Sequence, residues 1–333
     1  MFNRVIVLTT VRAAAVALVL VIAACRAQPA PPPAAKPGSP GATQAPSVAA
    51  AATLDPEVAA TVEKVLSSAQ HPGLMWSHIP DVAPALTTIY EGEPDKLVWF
   101  TGATPDAMTA PAVAAVNAAG EHGLEASDYD GAPLAEQWKA ISAGTASAPE
   151  RALFDVALSV SAARLLKAVH LGRVDPATML WGYDVATKPF DLVARFTEMR
   201  AGQGLSAMLD ELEPPVTHYK RARKALAIYR GLVVAGEPPL VPLVAKGKKF
   251  EPGAAWDGVP QLAARLRAFG DLPAGASSDP AGDAPTLSGP VVDALKGFQR
   301  RHGLDADGVI GPGTVSALDV SAAARVRQIA LSM

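Results

Sequence analysis

The chain of 333 residues contains one cysteine, Cys25, so thiol chemistry is available at a single position. One cysteine excludes an intramolecular disulfide, a cysteine-based zinc site and an iron–sulfur cluster. None of the six histidines belongs to an H-x-x-x-H pair or to a Glu-flanked zinc spacing. The motifs S-x-x-K and G-x-S-x-G and a phosphate-binding loop are also absent. The sequence therefore predicts no catalytic residue, no metal site and no cofactor.

A cluster of four acidic residues lies between positions 121 and 130, and its members are Glu121, Glu125, Asp128 and Asp130. Two carboxylates held close together can hydrolyse a glycosidic bond, one as acid and the other as base or nucleophile. Turn and capping roles at the surface explain the same residues without chemistry. We favour this second interpretation and expect no glycosidase site.

A basic cluster comprises Lys220, Arg221, Arg223 and Lys224. Such a group could face an anionic polymer, but charged residues at this spacing are more typical of the solvated outer face of a helix. The whole chain has a net charge of −3 and an isoelectric point of about 6.1. Because it lacks the strong basic excess of nucleic-acid-binding proteins, we expect no nucleic-acid partner.

The segment that contains Cys25 has the order of an export signal. Residues 1–12 carry Arg4 and Arg12 and no acid, and residues 13–24 are an unbroken apolar run that is short for a membrane span. Residues 22–25 (IAAC) resemble the lipobox of bacterial lipoproteins, which implies cleavage before Cys25 and acylation of its thiol. An ordinary cleaved signal and an uncleaved anchor are the alternatives. By the same resemblance, Arg26 favours the outer membrane over the inner membrane, on the periplasmic side.

Composition indicates that helices build the folded part of the chain. Half of the residues are hydrophobic but only 5% are aromatic, so Ala, Val and Leu must form the core. This composition suits packed helices better than a β-sandwich, and strand-like residues are scarce outside 97–100. Residues 26–53 are almost entirely Ala, Pro, Gly, Ser and Thr, which predicts a tether. The sequence thus predicts an all-α protein.

Helix signals predict the positions of several elements. Asp55 followed by Pro56 is typical of a helix start, and Val58, Val62, Val65 and Leu66 are predicted to face inward from that helix. Ser147 and Glu150 form a capping box before an apolar run that ends near Gly172. A later amphipathic helix is predicted to bury Tyr219, Ala222, Leu226, Tyr229 and Val233. Prolines in 237–255 predict a linker, which separates a helical domain (54–236) from a small domain (256–320) and a helical tail (321–333).

The stretch 295–318 (LKGFQRRHGLDADGVIGPGTVSAL) resembles the core of the peptidoglycan-binding module, a three-helix domain of bacterial cell-wall proteins. The matching residues are Phe298, Gln299, Gly303, Leu304, Asp307, Gly308, Gly311, Pro312 and Thr314. In physical terms, Gly303 can end a helix, Gly308 can adopt the positive φ of a turn, and Pro312 can begin the next helix. The resemblance implies peptidoglycan as partner, and Arg300, Arg301 and His302 are candidates to contact its carboxylates.

Upstream segments resemble the helical scaffold domain of periplasmic L,D-transpeptidases: residues 121–130 (EHGLEASDYD), 170–176 (HLGRVDP) and 209–232. Members of that family use a cysteine nucleophile in a further catalytic domain, whereas here Cys25 is the only thiol. A thiolate nucleophile needs a base beside it, so these residues are not expected to catalyse transpeptidation. Two hypotheses remain: a non-catalytic, lipid-anchored peptidoglycan-binding protein, or the front part of a truncated or split L,D-transpeptidase. A separate catalytic domain of that family is a further candidate partner.

Overall fold

The computed structural model describes residues 54–92, 97–174, 188–276 and 285–333. The predicted signal peptide with Cys25 and the predicted tether lie outside these residues. The described ranges contain twelve α-helices and one two-stranded hairpin, which confirms the all-α prediction. None of the described helices is both long enough and apolar enough to span a bilayer.

The first seven helices are α1 (Pro56–Ser68), α2 (Ala83–Glu91), α3 (Thr109–Asn117), α4 (Gly131–Ser142), α5 (Ala148–Leu171), α6 (Leu192–Glu198) and α7 (Leu205–Leu212). The remaining five are α8 (Thr217–Ala235), α9 (Val259–Ala268), α10 (Gly289–Arg301), α11 (Pro312–Leu318) and α12 (Ala322–Ser332). Strands β1 (Phe100–Thr101) and β2 (Thr104–Pro105) pair antiparallel, with Phe100 opposite Pro105. Short 3₁₀ turns span Ala119–His122 and Ala126–Tyr129, and a π-helical turn spans Met199–Gln203.

Helix α5 lies at the centre of the first hydrophobic core. Its residues are buried around the whole circumference, and Leu158, Leu165 and Leu166 are fully enclosed. Helices α1, α3, α4 and α7 pack against it. The predicted capping box is present, because the Ser147 amide donates to Glu150 Oε2 and the Glu150 amide to Ser147 Oγ. The predicted inner face of α1 is confirmed as well, since all four of its apolar residues are buried.

A buried carboxylate on α5 organises the chain before β1. Asp155 is fully buried and accepts hydrogen bonds from the amides of Val98 (3.2 Å) and Trp99 (2.8 Å) and from the hydroxyl of Tyr90. Burial raises the pKa of Asp155 to about 7 despite these donors. Of the strand-like residues 97–100, only Phe100 belongs to a strand, because the amides of Val98 and Trp99 donate to Asp155 rather than to a neighbouring strand.

Helix α8 connects the first core to a second one. Tyr229 in its second half belongs to the second core, and α8 packs along α12. The prediction that Val233 faces inward is wrong: its side chain is half exposed, and Leu232 packs on the core instead. Leu226, Tyr229 and Leu232 follow one another at steps of three residues and lie on the buried side of α8. The predicted step of four, from Tyr229 to Val233, leaves that side.

The segment after α8, predicted as a linker, contributes to the second core. Val241 and Val244 are buried there. Arg265 on α9 is almost fully buried and donates to the carbonyl of Pro239 (3.1 Å) and to that of Leu318 (3.0 Å) at the end of α11. Because one guanidinium joins both carbonyls, this segment is held firmly against the small helical domain.

Candidate functional site

Three helices, α9, α10 and α11, frame the small domain around a buried aromatic centre. Phe298 on α10 is fully buried, and its ring stacks on Phe269 with 6.0 Å between centroids. An isolated antiparallel bridge joins Phe250 to Ile310, with two backbone hydrogen bonds of 2.9 Å. The bridge brings the segment before α9 beside the turn that leads into α11. This neighbourhood contains the motif residues of the sequence.

Gln299 holds that turn with its side-chain amide. It is buried, and its Nε2 donates to Asp307 Oδ1 (3.0 Å) and to the Val309 carbonyl (3.1 Å). Its Oε1 accepts the amide of Gly308 (2.9 Å). Asp307 Oδ1 also accepts the amide of Val309 (2.8 Å). The three hydrogen bonds of Gln299 fix the turn to α10 and the fourth lies within the turn, which explains why a glutamine follows Phe298.

The glycines and the proline of the motif have local roles. Gly303 (φ 67°) follows the last residues of α10, and Gly308 (φ 77°) forms the turn held by Gln299. Both are in the left-handed region, where a side chain costs energy. A Cβ on Gly308 would also lie 2.9 Å from Val292 Cγ1. Pro312 is the first residue of α11. The motif therefore shapes the backbone between two helices.

A groove of about 400 Å³ runs over this turn. Six of the nine motif residues line it: Gln299, Leu304, Asp307, Gly311, Pro312 and Thr314. The segment 247–249, which the bridge at Phe250 holds in place, lines it as well. The groove is the candidate functional site, because it combines a rigid backbone with charged groups that come from separate segments.

Charges of both signs surround the groove. Lys248 and Lys249 come from the segment before the bridge, and Asp305 and Asp307 come from the turn. Lys249 forms a salt bridge of 2.7 Å with Glu251. That pairing, together with the field of Asp307, raises the pKa of Lys249. The two charged segments are close in space, because both line the same groove.

Sequence reasoning did not identify Lys248, Lys249 or Asp305 as site residues. No pattern in the chain relates position 248 to position 305. Their proximity depends on the bridge between Phe250 and Ile310, which is a tertiary contact. The six motif residues were identified from the resemblance, and the structure brings them together at the groove.

The structure describes all three residues predicted to contact peptidoglycan, and none of them lines the groove. Arg300 is exposed at the end of α10. Arg301 forms a salt bridge with Asp271. The ring of His302 stacks on Phe298 at 4.0 Å between centroids, its Nδ1 is 2.8 Å from the Phe298 carbonyl, and burial lowers its pKa. Arg301 and His302 thus have structural contacts, and their contact with a ligand stays a prediction.

The acidic cluster of residues 121–130 is distributed over different contacts. Asp128 pairs with Arg173 (3.0 Å), and Glu121 lies 3.6 Å from Arg223. Asp130 is buried and accepts the amide of Met75 (2.7 Å). Glu125 and Asp130 directly precede helical turns, but neither side chain caps them, so the predicted capping role is wrong for these two residues.

Arg223 of the basic cluster is the centre of a salt-bridge group. Its guanidinium contacts Asp210 (2.8 Å) and Glu213. His122 Nδ1 lies 3.1 Å from Glu213. Burial, and to a smaller extent the positive charge of Arg223, lower the pKa of His122 to about 4, so its imidazole is neutral at pH 7. The side chains of His122, Asp210 and Glu213 are close enough to hold a metal ion. Arg223 already neutralises part of this negative charge, so we treat the group as an ion-pair cluster.

Two protein families match the chain. Residues 84–226 match the scaffold domain family, and residues 257–318 match the peptidoglycan binding domain family. No curated protein matches it. The first match runs from α2 to the middle of α8, and the second covers α9, α10 and α11 together with the Gln299 turn. The chain therefore carries a scaffold domain of the type found in L,D-transpeptidases, followed by a peptidoglycan-binding domain.

Proposed function

We propose that this chain is an exported, lipid-anchored protein of the cell envelope that binds peptidoglycan through the groove over the Gln299 turn. The observation that carries the proposal is the location of the groove within a peptidoglycan-binding domain, where six motif residues line it. A shallow groove gives modest affinity, and attachment at a membrane raises the effective concentration of the domain at the wall. The scaffold domain agrees with a role at the cell wall.

Co-sedimentation with isolated sacculi tests the binding. The full chain with Cys25→Ser, purified in mild detergent, is expected to pellet with sacculi and to remain in solution without them. A variant with Gly308→Asp places a charged side chain where a Cβ already meets Val292, and it is expected to lose most of this binding. If the Cys25→Ser chain with an otherwise unchanged groove does not pellet with sacculi, the binding proposal is wrong.

Anchoring is the second part of the proposal, and the order of charged region, apolar run and Cys25 supports it. Acyl chains hold a protein at a membrane because each buried methylene contributes about 0.8 kcal/mol. We expect metabolic labelling of the wild-type chain with palmitate and its recovery in the outer-membrane fraction. Cys25→Ser is expected to abolish both. Equal fractionation of the two chains, without label in either, would contradict lipid anchoring.

The third part is that these residues do not cross-link peptidoglycan themselves. Cys25 is the only thiol and belongs to the export segment, so no cysteine nucleophile is available in the two helical domains. We expect the purified chain neither to form 3–3 cross-links from muropeptides nor to react with a carbapenem. Acylation by a carbapenem, seen as a mass increase, would identify a nucleophile and overturn this part. A separate L,D-transpeptidase catalytic domain is the partner we propose to test by co-purification.

A further inference from the structure

We propose that the groove recognises a zwitterionic peptide end, in which a free ammonium group and a free carboxylate lie on the same terminal residue. The inference rests on the proposed function, since it names the part of peptidoglycan that the groove binds: an uncross-linked stem peptide rather than the glycan strand.

The charges that line the groove support a ligand with both signs. Lys248 and Lys249 supply two ammonium groups, and Asp305 and Asp307 supply two carboxylates. A purely anionic ligand would be attracted by the first pair and repelled by the second, and a neutral sugar could form hydrogen bonds with these groups but would gain no charge pairing from either. A zwitterion can pair with both at once, and complementary charges favour the correct orientation of the bound ligand.

The contacts of these four side chains show which of them are available. Lys249 is held by Glu251, and Asp307 Oδ1 is occupied by Gln299 and by the Val309 amide. Lys248 and Asp305 are exposed, and within the described residues neither has a side-chain hydrogen bond or ion pair. One uncommitted cation and one uncommitted anion therefore border the groove, ready to pair with a ligand.

The backbone that carries these two side chains is fixed rather than free. Lys248 lies two residues before the bridge from Phe250 to Ile310, and its amide donates to the carbonyl of Ala245 (2.9 Å). Asp305 directly follows Leu304, whose amide donates to the Gln299 carbonyl (2.9 Å). Because both backbones are anchored, binding orders only the two side chains and not the segments that carry them, which reduces the entropic cost of binding.

This arrangement implies selection by cross-linking state. A cross-link converts the free amine of a stem peptide into an amide, which removes the positive charge. The carboxylate of the cross-linked residue can still pair with Lys248, but Asp305 loses its partner. We therefore expect the groove to prefer uncross-linked stems.

Competition for sacculus binding tests the inference with the full chain in mild detergent. The probes are the synthetic tripeptide N-acetyl-Ala-γ-Glu-diaminopimelate, whose one free amine is on the diaminopimelate side chain, and the same peptide acetylated on that amine as well. Exposed ion pairs contribute about 0.2–1 kcal/mol, so the free peptide is expected to displace the chain at roughly 1.4- to 5-fold lower concentration than the acetylated one. The preference should shrink at high salt, because screening weakens exposed pairs.

Two variants assign the charges, each with a matched control. Asp305→Asn is expected to remove the preference for the free amine and to leave the affinity for the acetylated peptide unchanged. Asp293→Asn, at an exposed position of α10 away from the groove, should retain the preference. Lys248→Gln is expected to weaken both peptides equally, whereas Lys246→Gln, at an exposed position outside the groove lining, should weaken neither.

The outcomes separate this inference from the proposed function. If the chain pellets with sacculi but both peptides compete equally, or if Asp305→Asn keeps the preference, the zwitterion is not what the groove binds, and peptidoglycan binding stands. If the chain does not pellet with sacculi at all, both proposals are wrong.

Discussion

Replacement of Gln299 by alanine tests how the groove is built. The change removes the acceptor of the Gly308 amide, which is buried, and both donors to Asp307 and Val309. A buried amide without a partner costs about 1–3 kcal/mol, and each lost donor bond costs about 0.5–1.5 kcal/mol. Asp307 is exposed, so water can replace part of the loss there. We expect the free energy of unfolding to fall by about 2–4 kcal/mol.

Two measurements test this expectation on the full chain. Urea unfolding is monitored by circular dichroism, and exchange of the Gly308 amide hydrogen with deuterium is measured under native conditions. The Gln299→Ala variant should show a lower urea midpoint and faster exchange at Gly308. Gln328→Ala on α12 is the matched control, because Gln328 is exposed and accepts one side-chain hydrogen bond within the described residues, from Arg325 (3.0 Å). Surface changes usually stay within about 0.5 kcal/mol. An unchanged midpoint, or an equally protected Gly308 amide, would refute this account of the turn.

Three further predictions concern stability. Gly258→Ala should destabilise the small domain by about 1–3 kcal/mol, because a Cβ there would lie 2.3 Å from the buried ring of Trp256. Gly313→Ala is the control and should have little effect in the same urea assay, because the space around Gly313 is open. Phe298→Ala should lower the free energy of unfolding by about 3–5 kcal/mol, and an unchanged melting temperature would contradict its central position. Burial raises the pKa of Asp155 from 3.8 to about 7, so its stabilising contribution is complete below about pH 4 and is lost as the pH rises through 7. The difference in free energy of unfolding between wild type and Asp155→Asn should therefore decrease from pH 4 to pH 8. A constant difference would show that Asp155 does not titrate in this range.

The parts of the fold that the sequence predicted correctly depend on local signals. The cap at Ser147 and the apolar face of α1 each involve residues within a few positions of one another. Capping and helical periodicity are short-range effects, so sequence spacing reports them directly. The all-α class followed from the same periodicity, repeated along the chain.

The parts that the sequence missed depend on contacts between distant positions. Asp155 draws the amides of Val98 and Trp99 away from strand pairing across more than fifty residues. Val233 is exposed, whereas Leu232 packs on the second core together with Val326 and Ile329 of α12, about ninety residues later. In each case a local preference was overridden by tertiary packing, which spacing along the chain does not encode.

The candidate site combines both kinds of information. The motif residues that revealed the domain mainly support its backbone: Gln299 holds the turn, Gly308 permits it, and Pro312 begins the helix beyond it. The side chains at the groove that have no partner within the described residues, Lys248 and Asp305, are not among the nine matching motif residues and come from segments more than fifty residues apart. A recognisable motif can thus identify the domain while different residues determine what it binds. For this reason Asp305→Asn should change ligand preference and Lys248→Gln should weaken binding of both peptides, each at constant stability, whereas Gln299→Ala should reduce stability and binding together.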